Sequence, residues 1–147
     1  MTSGIKKKNI IMTAQIGEIL IFKGKQMRMA TEPLMQYLQN KKEIKFISHS
    51  TACWRGYCGQ WEIIDNKLYL TELTGYSPDN KEVDLNYLFP DKKQVFADWF
   101  SGEIRIPQGE ILEYVHLGYA SLYEKDLFLV FENGILLREY EVDNTQK

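Results

Sequence analysis

From Glu18 onward, apolar and polar positions alternate in short blocks separated by turn-forming residues. Glu18-Ile19-Leu20-Ile21-Phe22 predicts a strand, Lys23-Gly24-Lys25 a turn, and Gln26-Met27-Arg28-Met29-Ala30 a returning strand with Met27 and Met29 alternating along it. Then the period changes. Thr31-Glu32-Pro33 has the makeup of a helix start: a hydroxyl for the N-cap, an acid in the first turn, and a proline where its missing N–H costs nothing. Leu34, Tyr37 and Leu38 fall at i, i+3 and i+4, so one main helix is predicted over about residues 32–41.

Beyond the helix the period returns to two. Lys45 to Ser50 predicts a strand, and Gln60–Ile64 and Lys67–Leu73 flank Asp65-Asn66, a pair that tolerates the positive φ of a tight hairpin turn. Residues 75–83 read as a polar loop, and Asp84–Phe89 as one helical turn ended by Pro90. Residues 94–100 fit a strand or a short helix equally well. Gly102–Pro107 and Gly109–Val115 read as two strands, and Leu127–Glu132, Asn133-Gly134 and Ile135–Val142 as a hairpin. The predicted fold class is α+β: a mainly antiparallel β-sheet curled into a roll, a sandwich or a partly open barrel, with the one main helix packed on it.

Length and composition narrow the picture. At 147 residues, with 44% hydrophobic and 26% charged positions, the chain fits one globular domain, expected over residues 15–147. Residues 1–14 are expected to be a flexible extension, with Met12 as an alternative first residue. The Lys6–Lys8 run is followed by too short an apolar stretch for a signal peptide, and no run reaches the ~18 apolar residues of a membrane span. A net charge of −2 offers no basic footprint, so neither nucleic acid nor membrane is an expected partner. Two cysteines are too few for a disulfide framework, and a cytoplasmic protein with reduced thiols is the expectation.

Candidate chemistry concentrates in His49-Ser50-Thr51-Ala52-Cys53-Trp54-Arg55-Gly56-Tyr57-Cys58-Gly59-Gln60-Trp61. A zinc site would need His49, Cys53, Cys58 and the distant His116 together, and the H-x3-C-x4-C spacing lacks the tight C-x2-C knuckle. No metal or other cofactor is therefore expected, and the cysteines read first as small buried hydrophobes. A nucleophilic Cys–His pair assisted by Arg55 lacks a visible third orienting group. Arg55 between Trp54 and Tyr57 could grip a carboxylate or phosphate, or pair with a local acid such as Glu62 or Asp98. Gly56 and Gly59 fit a bend or bulge between strands, with the aromatics filling the core.

Further along, Asp98, Glu103, His116 and Glu124 are candidate acids or bases, though no spacing marks a pair. The chain contains no phosphate-binding glycine loop, G-x-S-x-G elbow, H-E-x-x-H or dinucleotide fingerprint, which weighs against an enzyme. Of the nine Tyr, seven Phe and three Trp most are expected in the core, yet nine Tyr are many for a core of this size, since each hydroxyl wants a partner, and Tyr and Trp are preferred interface anchors.

The segments Ser50-Thr51-Ala52-Cys53-Trp54-Arg55-Gly56-Tyr57, Val95-Phe96-Ala97-Asp98-Trp99-Phe100-Ser101-Gly102, Ile106-Pro107-Gln108-Gly109 and Tyr114-Val115-His116, with Glu32-Pro33-Leu34 before them, resemble a family of short bacterial proteins of unassigned function. The resemblance spans about residues 16–131. It implies a bacterial, cytoplasmic protein and, because such small domains can sit beside secreted-toxin genes, an immunity-type role; it implies no cofactor or catalytic residue.

Two functions compete on these grounds. One is a non-enzymatic protein-binding domain, immunity-like or accessory, gripping a protein partner through an exposed patch of Trp54, Arg55, Tyr57, Trp99 and Tyr119. The other is a small enzyme or ligand-binding protein with a pocket gathering Arg55, Asp98, His116 and Glu124.

Overall fold

The computed structural model describes residues 14–146. The strands are β1 (Ile19–Phe22), β2 (Lys25–Arg28), β3 (Tyr57–Ile64), β4 (Lys67–Tyr76), β5 (Glu82–Asp84), β6 (Val95–Phe96), β7 (Gly102–Glu113), β8 (Leu122–Glu132) and β9 (Ile135–Asp143). Two short helices, α1 (Leu34–Leu38) and α2 (Leu85–Leu88), and a final 3-10 turn, Asn144–Gln146, complete the described residues. The strands form one mixed sheet in the order β2-β1-β3-β4-β9-β8-β7, with β5 and β6 also pairing with β4. Every pairing is antiparallel except β1 with β3. The sheet is not closed into a barrel. Its two ends nevertheless come together after β2, where Ala30 N–H donates to Arg105 O at 2.8 Å and Arg105 N–H donates to Thr31 Oγ1 at 2.9 Å.

Local chemistry explains the turns. β1–β2, β3–β4 and β8–β9 are joined by Lys23-Gly24, Asp65-Asn66 and Asn133-Gly134, and all six residues have positive φ. Two consecutive residues of that kind match the twist of an antiparallel pair. At Gly134 the requirement is also steric, because a Cβ would stand 2.5 Å from Ala97 O.

In β4, Leu68 and Leu70 point inward and then Leu73 does, a change of parity. A bulge produces it: Trp61 pairs with Leu70 and Gln60 with Glu72, which leaves Thr71 as the extra residue. Its hydroxyl donates to Gln60 O at 3.0 Å. The core is one cluster, from Leu20 and Trp61 through Leu70 to Ile104 and Leu129, with α1 contributing Leu34.

Several expectations need correction. The main helix is five residues long, not ten: the Thr31 hydroxyl serves β7 rather than capping, and beyond Leu38 the chain continues only as single turns to Lys41. Residues 45–50 form no strand. Ser48 Oγ donates to Ser50 O and Cys53 O, and Ser50 Oγ accepts from Ala52 N–H, so hydroxyls take backbone groups a ladder would use. The two strands expected at 102–107 and 109–115 are one, β7, irregular between Gln108 and Glu113, with Gly109 at φ 85°. Residues 94–100 resolve into the two-residue β6 followed by a turn closed by Phe100 N–H to Ala97 O. The expected extension lies outside the described residues except for Ala14, which bridges Gly118. Among the described residues no helix is long and apolar enough to cross a membrane.

Candidate functional site

Glu18, Leu20 and Phe22 share the inward face of the first strand block, so a carboxylate enters the core among apolar side chains. β1 runs parallel to β3, with Ile19 beside Gln60 and Leu20 beside Trp61, which sets the Glu18 side chain against Gly59. Gly59 is required there: a Cβ would stand 2.5 Å from Glu18 Oε1. Instead Oε1 accepts from Gly59 N–H at 3.0 Å and Trp61 Nε1 at 2.8 Å, and Oε2 accepts from Arg55 Nε at 2.9 Å.

The Arg55 side chain is only 3% exposed. Its Nη2 donates to Ile16 O at 3.0 Å and reaches Cys58 Sγ at 3.6 Å. Its Nη1 donates to Tyr119 Oη at 3.4 Å and lies 3.8 Å from Glu32 Oε2, which accepts from Tyr119 Oη at 2.6 Å. Cys53 Sγ lies 3.8 Å from Cys58 Sγ and 3.3 Å from Tyr57 O.

Charges crowd this node. Burial pushes the Glu18 carboxyl up to about 7 against the pull of Arg55 and Trp61, and the Glu32 charge pushes it further up. Burial opposes the Arg55 charge, but Glu18, Tyr119 and the two thiols together hold it more firmly protonated than usual. Tyr119 is raised by burial and by its bond to Glu32; Tyr57 is raised by burial and by the two carboxylates. The Tyr57 hydroxyl has no hydrogen-bond partner among the described residues. The S–H···S contact brings Cys53 down to about 6, with burial opposing and Arg55 assisting, while the same contact and burial push Cys58 up.

The expected anchors do not form an exposed patch. Trp54 is 39% exposed, with its backbone N–H bonded to Gln15 Oε1 at 2.8 Å. Tyr57 is buried, Tyr119 is half-buried and tied to Glu32, and half-buried Trp99 donates to Pro33 O at 3.0 Å while stacking on Phe89. Arg55 turns inward because its partner is Glu18, not Glu62 or Asp98.

The expected pocket is not assembled either. Asp98 is exposed in the turn after β6, exposed His116 sets its ring edge-on to Tyr114, and Glu124 accepts from Glu110 N–H at 3.0 Å; none of them bonds Arg55 or one another. Of the potential zinc ligands only Cys53 and Cys58 meet. His49 stacks on Tyr76, His116 lies on Tyr114, and among the described residues no group of three or more His, Cys, Asp or Glu could hold a metal ion. Glu18 and Glu32 are the members the sequence reading missed. The available signal was an acid in phase with Leu20 and Phe22.

A second surface lies at the end of the β7–β8 hairpin, where Gly118 is bridged by Ala14. Ile111, Leu112, Tyr114 and Leu117 are between 46% and 53% exposed there. Beside them is a cavity of about 530 Å³ lined by Met27, Arg28, Pro107, Tyr114, Tyr119 and Tyr123, among others. Exposed Glu110 and Glu113 give this end an acidic margin.

No protein-family model, curated protein or solved structure matches the chain.

Proposed function

We propose that the protein is a non-catalytic protein-binding domain of the immunity or accessory type, and that the end of the β7–β8 hairpin is its contact surface. The supporting observation is the run of Ile111, Leu112, Tyr114 and Leu117, four large apolar side chains each about half exposed within one short stretch. A soluble protein rarely leaves such a group uncovered without a partner, and a tyrosine with an apolar ring and a polar tip is a preferred anchor. Glu110 and Glu113 at its margin fit a partner whose own apolar centre is rimmed by Lys and Arg. This surface replaces the anchor set read from the sequence, of which Trp54 alone stays exposed.

The test is affinity purification of the tagged protein from the cells that express it, followed by reconstitution of the complex from purified components. One stoichiometric partner, lost on the double change Ile111→Ser with Leu112→Ser and retained on Leu137→Ser at an equally exposed position of β9, supports the reading. A toxin as that partner supports its immunity form. A partner indifferent to the hairpin changes, or a monomer with no partner, overturns it.

A second reading, small-ligand binding, is favoured by the cavity of about 530 Å³ beside the hairpin, which lies within the usual size of ligand pockets. A ligand screen by thermal shift, repeated on Tyr123→Ala, tests it. A stabilising compound whose effect vanishes in the variant would establish it.

A further inference from the structure

Cys53 and Cys58 do not serve the hairpin surface, and their surroundings are unusual for inert core thiols. Their sulfurs are 3.8 Å apart, close to contact, and both line a cavity of about 310 Å³ with His49, Tyr76 and Glu82. Arg55 Nη2 stands 3.6 Å from Cys58 Sγ, so a fixed cation adjoins the pair. The two residues also differ in setting. Cys58 belongs to β3, whereas Cys53 sits in the turn closed by Cys53 N–H to Ser50 O and Gly56 N–H to Cys53 O. A disulfide needs the sulfurs at about 2.05 Å, so the pair must close by under about 2 Å.

We propose that Cys53 and Cys58 form a redox-active dithiol that exchanges with small disulfides entering this cavity. Cys53 attacks as the thiolate. Its sulfur bonds one sulfur of R–S–S–R, the S–S bond breaks, and one RS⁻ leaves. That RS⁻ takes the Cys58 proton and departs as RSH. The Cys58 thiolate then attacks the Cys53 sulfur, the bond to the remaining R–S breaks, and the second RS⁻ leaves to recover from water the proton Cys53 had released. The pair has lost two hydrogens and two electrons, and the small disulfide has become two thiols. A cavity of this size has room for short-armed disulfides. Cys53 takes the attacking role because it sits on the turn rather than in β3, and Arg55 beside Cys58 favours the Cys58 thiolate that closes the disulfide.

The test uses the full-length protein, reduced and freed of reductant under argon, with bis(2-hydroxyethyl) disulfide at pH 7. The expected wild-type product is a monomer lighter by two hydrogens and carrying no adduct, as read by intact mass. Cys58→Ser should stop at a single adduct mapped to Cys53. Cys53→Ser should form no intramolecular disulfide and leave any adduct on Cys58. Unreacted wild type, stable adducts on both cysteines, or covalent dimers would each overturn the proposal. The wild-type measurement stands even where a serine variant folds poorly.

Discussion

Arg55 and Arg105 both carry a guanidinium into the fold, and Tyr119 touches both, its hydroxyl meeting the first and its carbonyl the second. At Arg105 the charges balance. Its Nε donates to Asp126 Oδ1 at 2.8 Å, its other nitrogens donate to Tyr119 O at 2.6 Å and Ser121 O at 2.9 Å, and Asp126 Oδ2 accepts from Asn144 Nδ2 at 3.0 Å. One cation meets one anion, and neutral groups fill the remaining sites. At Arg55 a single cation faces Glu18 at 2.9 Å and Glu32 at 3.8 Å, with a phenol and two thiols alongside. Burial of Glu18, with the second carboxylate adding to it, raises its carboxyl to about 7 against the pull of Arg55 and Trp61. A balanced buried pair ties segments together, whereas an unbalanced one becomes sensitive to pH.

The sharpest way to break the contrast is Glu18→Ala. It leaves a guanidinium that is 3% exposed without its nearest anion, and it strips the acceptor from Gly59 N–H and Trp61 Nε1. Removing one partner of a buried pair costs about 3–5 kcal/mol, and the two orphaned donors place this case at the upper end. Urea unfolding at pH 7 measures it. A loss under about 1 kcal/mol would show that Glu18 does not hold the node.

Titration of the same residue is the next largest effect. The folded protein keeps the Glu18 proton up to about pH 7, while the unfolded chain releases it near 4.5. In that window the folded state binds more protons, so stability falls as pH rises, and the contribution present below pH 4.5 is lost above pH 7. The displacement corresponds to about 3 kcal/mol. Urea unfolding from pH 4.5 to 8, compared between wild type and Glu18→Gln, isolates the Glu18 contribution, a fall in stability present in wild type and missing from the variant.

This contrast also marks how far the sequence could be read. The hairpin turns were legible because Asp65-Asn66 and Asn133-Gly134 announce positive φ through their own chemistry. The helical turn before Pro90 was legible too, with Asp84 accepting from Asn86 N–H as its cap. Arg55 stood out as the centre of a dense segment, but its partners lie 37 and 23 positions away in the chain, Glu18 before β1 and Glu32 before α1. Only the parallel register of β1 on β3 brings Glu18 there, and period-two patterning does not specify register across non-adjacent strands. Asp98, His116 and Glu124 were chosen as chemically capable residues, and capability carries no information about convergence. Thr31 failed as a cap for the same reason: the local rule was sound, and a distant backbone N–H on β7 took the hydroxyl.

At the balanced node, Asp126→Ala should cost less, about 2 kcal/mol. The Arg105 side chain is 22% exposed and keeps two carbonyl acceptors, so water and the chain offset part of the lost charge. The same urea series reports it. A loss equal to that of Glu18→Ala would mean that both arginines are equally sealed from solvent.

The smallest effect bears on whether the two nodes act together. Tyr119→Phe removes the hydroxyl that donates to Glu32 and accepts from Arg55 while leaving the carbonyl on Arg105 in place, a change of about 1 kcal/mol. If Tyr119 transmits strain between the nodes, Glu18→Gln and Asp126→Asn should be non-additive by about 0.5 kcal/mol in the wild-type background, the lower end of what contacting networks show. In the Tyr119→Phe background the Arg55 node is cut loose from residue 119, and the coupling should fall below detection. Coupling that survives the phenylalanine must run through the backbone instead, where Arg105 N–H meets Thr31 Oγ1, one residue before Glu32. Unfolding free energies of the eight proteins in the two cycles separate these routes, because only the first depends on a single oxygen atom.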